Sequence, residues 1–437
     1  MHRSLFILAL TALLAACAQP EAQMTPPPAA VVAASPVPAP TPAPEPTIEE
    51  VDPTNTPAPT PAPNGDCPAS FAALDPIDRA MFGNLTLIQD TFIDRRFVIW
   101  DNQYRLNDIP MLLIRRDRAG VTPGYGFLVN RPDRAGLVNV DTFELPTYFD
   151  LGTVYCVSPL PDTYGLDTKP YLPWLPLGTN RSAPTRLEQI DDFALALIYG
   201  DRTREPRAAD RVADPRAVER WASEAVRVGF RRWQIVEGRL SAQFLSRGAN
   251  TSLLGAPPTA EQLALALLEQ RVLAAALRSA APDEQLLRQF VAVRQLRLDR
   301  YPDPTRDELA IEKEDGTAEY VAYRFALASG FAQLQAWPER LLARYAGDSP
   351  PEPDVDPMAI RRYLREERPA LVGAALGVLL DALAIPWRGQ MAKGQTPFLV
   401  LESAYRVLDA ERDTLLQQAK ASFGYDELLA RAEAARR

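Results

Sequence analysis

Fifteen of the 44 residues from Pro20 to Pro63 are proline, and no other feature limits the possible folds of this chain so sharply. Proline fixes its own φ and supplies no backbone donor, so a stretch this dense builds neither a helix nor a central strand. Residues 18–63 are expected to run as a semi-rigid polyproline tether, at most about 140 Å long at roughly 3.1 Å per residue. A packed core must therefore come from the roughly 370 residues that follow, enough for one large domain or two of ordinary size. With 47% hydrophobic residues, that part of the chain can bury a substantial core.

Ahead of the tether, His2 and Arg3 give a positive start, and an apolar run extends from Leu5 to Leu14. A run of about ten residues is too short for a membrane span, which needs roughly twenty. It closes in Leu14-Ala15-Ala16-Cys17, which resembles the lipobox of bacterial lipoproteins. The resemblance implies a signal peptide over residues 1–17, cleavage before Cys17 and diacylglyceride on the Cys17 thiol. The mature protein is then extracytoplasmic and held to the cell membrane or the outer membrane. Ala18 is compatible with outer-membrane sorting. Cys67 and Cys156 remain, in a compartment where a disulfide persists. They form either a bridge clipping the start of the folded region to a later strand, or two unpaired buried thiols.

His2 is the only histidine, and it leaves with the signal peptide. Ser-His-Asp and Cys-His catalysis, histidine zinc sites and imidazole pH switching are thereby excluded. No G-x-S-x-G elbow, S-x-x-K pair, Walker loop or G-x-G-x-x-G is present. The net charge of −9, without a basic tail or patch, argues against a nucleic-acid partner. Carboxylate chemistry remains, or none.

The hydrophobic period divides the rest into an α+β chain, with a β-rich region over residues 64–180 and a mainly α-helical region over 181–437. In the first, RFVIW (96–100), MLLIRRD (111–117), GFLVN (126–130) and TVYCVS (153–158) read as strands between Gly and Pro punctuation. A proline-broken connection follows at 159–178. From 185 the period is helical: 185–200 opens on threonine and closes on glycine, and helices are expected over 214–248, 258–280, 282–301 and 304–337 and in later stretches.

Two helical stretches carry the chemistry-bearing pattern. The first reads Arg227-Val228-Gly229-Phe230-Arg231-Arg232-Trp233-Gln234, with 227 and 231 one turn apart on one face. The second, RDELAIEKEDGTAEY, places Glu308, Glu312, Asp315 and Glu319 at i, i+4, i+7 and i+11. The first has the frame of His-Glu-x-x-His, and Asp315-Gly316-Thr317-Ala318-Glu319-Tyr320 has that of a downstream ligand helix, Glu-Gly-x-Ala-x-Tyr. Together with LLRQFVAVRQLR and AIPWRGQ, the region 214–425 resembles glutamate-zincin metallopeptidases. What such a resemblance implies is a helical peptidase framework with a third ligand position at Glu308, Glu312 or Asp315. The departures are decisive for catalysis. Arg227 and Arg231 stand where both ligand histidines belong, and Val228 stands for the general base. Arginine stays protonated and cannot ligate zinc. Valine cannot activate water. No metal or cofactor is expected. Instead Arg227 and Arg231 are expected to face the 308–319 carboxylates through guanidinium forks.

The chain thus reads as a membrane-anchored, catalytically inactive metallopeptidase-like protein that binds a peptide or protein. Two alternatives stay open: a hydrolase using the paired acids Glu312 and Asp315, or an envelope scaffold, for which an exposed apolar patch near Trp174 or Trp387 would speak.

Overall fold

A computed structural model describes residues 65–434 apart from 94–97, 101–103, 117–123, 132–139, 161–170, 177–192, 201–214, 237–257, 280, 330–336 and 346–362. Cys17, the apolar run and the tether lie outside the described residues. Those described belong to one unit that starts at Pro61.

The α+β expectation holds, with the sheet in the N-terminal part. The strands β1 (Met111–Arg116), β2 (Gly126–Val129), β3 (Val140–Phe143), β4 (Val154–Val157), β5 (Tyr171–Pro176) and β6 (Phe193–Gly200) form one sheet in the order β3-β4-β2-β1-β6-β5. Neighbours pair antiparallel except β1 and β6, which are parallel. Met111–Ile114 and Phe127–Val129 are buried along their whole length, as expected where both faces of a central strand are covered. Helix α1 (Pro76–Ile93), which the strand-like reading of 64–180 did not anticipate, sets Phe82 edge-on to Phe127 with ring centroids 4.9 Å apart. Buried Asp78 in its first turn accepts hydrogen bonds of 2.9 Å each from the hydroxyls of Tyr125 and Tyr199. Burial raises the Asp78 carboxyl above its ordinary value, against the pull of Arg115.

The expectations for 159–178 and 185–200 are overturned: β5, Tyr171–Pro176, is a strand inside the expected proline-broken connection. Residues 185–200 were expected to be helical, yet Phe193–Gly200 is strand β6, inserted between β1 and β5. Leu195, Leu197 and Tyr199 are buried, and a short apolar run does not distinguish strand from helix by composition. The sheet therefore takes its last strand from beyond residue 180. Of the expected strand at 96–100, the described residues 98–100 are irregular. Cys67 and Cys156 form a disulfide, Cα–Cα 6.0 Å across a separation of 89 residues, so the bridge and not the pair of free thiols is correct. It joins the first described residues to β4.

The helical part comprises α2 (Pro215–Val236), α3 (Ala260–Arg278), α4 (Glu284–Arg300), α5 (Pro302–Ile311), α6 (Thr317–Ala328), α7 (Trp337–Tyr345), α8 (Arg368–Ala382), α9 (Arg388–Met391), α10 (Pro397–Ala404), α11 (Asp409–Ser422) and α12 (Tyr425–Ala434). Local chemistry sets several starts. Thr259 caps α3 by accepting from the amide of Gln262, Asp283 caps α4, and Thr396 caps α10 ahead of Pro397. The sequence ALVGAALGVLL is apolar all round, so α8 sits at the centre of the bundle, with Val372, Ala374, Ala375, Leu376 and Leu380 at 0% exposure. The expected single helix over 304–337 is interrupted by a π-helical turn, Glu312–Gly316. Such turns insert one residue into the helical ladder and redirect the side chains that follow.

Candidate functional site

Helix α2 is gripped on two faces. On one, Gly229 admits Leu106 so closely that a Cβ there would lie 2.4 Å from Leu Cδ1, and the Tyr104 hydroxyl donates to the Val226 carbonyl at 2.8 Å. The other face carries Arg227, Arg231 and Gln234, spaced i, i+4 and i+7. It meets the π-helical turn and α6. Arg227 Nη1 lies 2.5 Å from Glu319 Oε1, and Arg231 Nη2 lies 2.8 Å from Asp315 Oδ1. Between them, Gln234 donates to the Thr317 hydroxyl at 2.6 Å in a buried contact. Glu319 also accepts from Arg344 on α7 at 3.3 Å. Burial pushes the Glu319 carboxyl up, but Arg227 and Arg344 outweigh it and hold the group below its usual value. Val228, at the position of a general base, is 1% exposed and packs in the core.

The four-carboxylate stripe is therefore divided. Asp315 and Glu319 face α2 as expected, whereas Glu308 and Glu312 turn inward to arginines that the sequence reading had not assigned to them. Glu269 on α3 is the hub. It accepts from Arg294 Nε at 2.7 Å, Arg294 Nη2 at 2.6 Å, Arg297 Nη1 at 2.6 Å and Arg368 Nη2 at 2.8 Å. Arg297 and Arg368 reach past it to Glu308 at 2.5 and 3.0 Å. Arg294 Nη1 sits 2.6 Å from Glu312 Oε1. Glu269, Glu312, Arg294 and Arg368 are at 0% exposure. This gives three guanidinium groups and three carboxylates, of which only Glu308, with 11% of its side chain accessible, is more than marginally exposed. Burial raises Glu269, but its three arginines together hold it well below the ordinary carboxylate range. Burial pushes Glu312 up to about 7, because Arg294 alone opposes it while Glu269 and Glu308 add repulsion. The signal for this cluster was present as charges inside otherwise apolar helix faces, Glu269 in LALALLEQRVLAAAL and Arg294 and Arg297 in FVAVRQLR. Which arginine would meet which acid is a matter of helix packing.

The late segment around Trp387 forms a third polar knot. Asp381 accepts from Trp387 Nε1 at 3.0 Å, from Arg388 Nη2 at 2.8 Å and from the Tyr320 hydroxyl. Arg388 also donates to the Trp100 carbonyl at 3.2 Å. Trp387 is 1% exposed and so presents no surface patch. The Trp174 side chain lies outside the described residues.

The zinc that the resemblance would imply does not fit these residues. Its two helix positions hold guanidinium groups already engaged with Glu319 and Asp315, and among the described residues no three His, Cys, Asp or Glu side chains are grouped to hold a metal ion. What the arrangement can do chemically is clamp two helices through charge-assisted hydrogen bonds. Set against protein-family models, curated proteins and solved structures, the chain has no significant match.

Proposed function

We propose that this protein is an extracytoplasmic lipoprotein, anchored through lipid on Cys17, whose helical region is a metallopeptidase-like framework without its metal and which acts by binding a peptide or protein. The observation that carries the reading is the pairing of Arg227 with Glu319 and of Arg231 with Asp315. Two positions one turn apart on α2 meet acids of a downstream helix across the gap that a zinc ion would bridge in such a peptidase. The arginine pairs do the mechanical work of that ion, joining the helices, and none of its chemistry. The side chains of Arg227 and Arg231 remain 29% and 27% accessible, so the paired face of α2 borders solvent.

The paired-acid hydrolase is the weaker reading, because Glu312 is fully buried and both it and Asp315 lie against an arginine. Two carboxylates dividing acid and base roles need a common open site. An envelope scaffold gains nothing from Trp387, which is buried.

The test is the metal content of the full chain after exhaustive dialysis, for the native sequence and for the double variant R227H/R231H. Less than about a tenth of an equivalent of transition metal in the native chain, with zinc bound stoichiometrically by the variant, supports the framework. Stoichiometric metal in the native chain, or a folded variant no better at holding zinc, overturns it.

A further inference from the structure

The three buried carboxylates are unequally held. Glu269 accepts four hydrogen bonds and Glu308 two, whereas neither oxygen of Glu312 receives one, and the nearby Arg294 Nη1 is not aligned to donate. A fully buried carboxylate facing one misaligned cation is the least secure charge of the cluster, since desolvation is offset by attraction only when geometry is good. With all six groups ionised the cluster is neutral, and a proton on Glu312 leaves it with one net positive charge.

Glu312 also opens the π-helical turn. Asp315, which holds Arg231, lies three residues on, and Glu319, which holds Arg227, one helical turn further. Behind the turn, α8 makes its closest approach at Gly373, where a Cβ would lie 2.4 Å from the Glu312 carbonyl oxygen and only 2.8 Å from its Cα. The turn is thus backed by main chain on that side. A shift of Glu312 must be taken up on the other side, toward α2. The charged and titratable groups on the elements around the turn are Glu269 on α3, Arg294 and Arg297 on α4, Glu308 on α5, Arg368 on α8, Arg231 on α2, and Glu319 and Tyr320 on α6. Lys313, Glu314 and Asp315 lie on the turn itself.

We infer that Glu312 is a proton-operated latch: its protonated, neutral form lets the π-helical turn seat in the buried cluster, and its ionisation leaves a poorly held buried charge that loosens the turn and with it the Arg231–Asp315 and Arg227–Glu319 pairs. The direction of its titration agrees with this geometry, burial outweighing Arg294 and bringing the group to about 7. A rise in pH across neutrality then loosens the arginine face of α2 without a histidine. The device is independent of whether the framework descends from a peptidase.

Amide hydrogen exchange over residues 312–319, measured on the full chain between about pH 5.5 and pH 8.5 and corrected for intrinsic rates, tests it. In the native chain, exchange of this segment is expected to rise by roughly tenfold as pH rises, levelling off above about 7. In E312Q the segment should show no transition. A flat native profile, a rise on acidification instead, or an E312Q profile with the same rise overturns the latch. If E312Q does not fold, infrared difference spectra of the native chain with isotope-labelled glutamate decide the matter. A buried protonated glutamate that appears near neutral pH is required, and its absence overturns the proposal.

Discussion

Replacing Glu269 by glutamine tests whether the inner cluster behaves as a buried ionic unit. The substitution keeps shape and removes one negative charge from among three guanidinium groups exposed by at most 2% of their side chains. Four charge-assisted bonds of 2.6–2.8 Å end on this carboxylate. The amide can accept at one oxygen, and its NH2 group must point at a guanidinium. Removing one partner of a buried pair costs about 3–5 kcal/mol, mostly through the uncompensated charge left behind. That is a large share of the 5–15 kcal/mol by which domains are typically stable. The assay is urea unfolding at pH 7, followed by far-ultraviolet circular dichroism, with the m-value compared to exclude a change in mechanism. Asp299→Asn is the control, because its pair with Arg412 at 2.8 Å is solvent-exposed, with Asp299 57% accessible, and should cost less than about 1 kcal/mol. The sign of the pH dependence follows. Glu269 is lowered, so its contribution is present above 4.5 and is lost as pH falls through its folded value. A loss below about 1 kcal/mol for Glu269→Gln at unchanged m would refute the reasoning, since it would mean that water or relaxation screens the cluster.

Glu312→Gln should act in the opposite sense. The ionised form is disfavoured by a rise from 4.5 to about 7, so its contribution is full below 4.5 and is lost as pH rises through 7. At about 1.4 kcal/mol per pH unit, the glutamine variant gains roughly 3 kcal/mol at pH 8 and nothing at pH 4 in chemical denaturation; a loss at pH 8 would contradict this. Double-mutant cycles to alanine should give a coupling of about 1 kcal/mol for Arg227 with Glu319, which is buried, and about 0.5 kcal/mol for the more exposed Arg231 with Asp315, additivity in both disproving the clamp. Gly373→Ala should cost more than Gly229→Ala by at least about 1 kcal/mol in thermal or urea unfolding, because it strikes the Glu312 backbone whereas Gly229 meets a movable Leu106 side chain. Reduction, or Cys67→Ser with Cys156→Ser, should cost about 4–5 kcal/mol by the loop-closure relation for a bridge across 89 residues. Equal stability of oxidised and reduced protein in urea would contradict it.

Much of this was legible in residue order alone. Proline density argues against helix and central strand over 20–63, residues outside those described, because it acts through each residue's own φ and missing donor. The near absence of histidine removes whole classes of chemistry in the same local way. Strands β1, β2 and β4 and helices α3 and α4 follow from period and caps, which act over one or two turns. Position 227 lies one turn from 231 on any helix, and so the pairing of this face with downstream acids could be anticipated.

Tertiary structure decided what depends on distant neighbours. Phe193–Gly200 became a strand because β1 offered it a parallel partner, a choice that short apolar runs leave to packing. The acid stripe of 308–319 was divided by the π-helical turn and by α8, which places Arg368 beside Glu269 and Glu308 and Gly373 against Glu312. Charge pairing follows which side chains burial brings together, and burial is set by the assembly of helices far apart in the chain. Sequence thus determined which charges this protein carries and which chemistry they exclude, and only the folded bundle decided which of them meet.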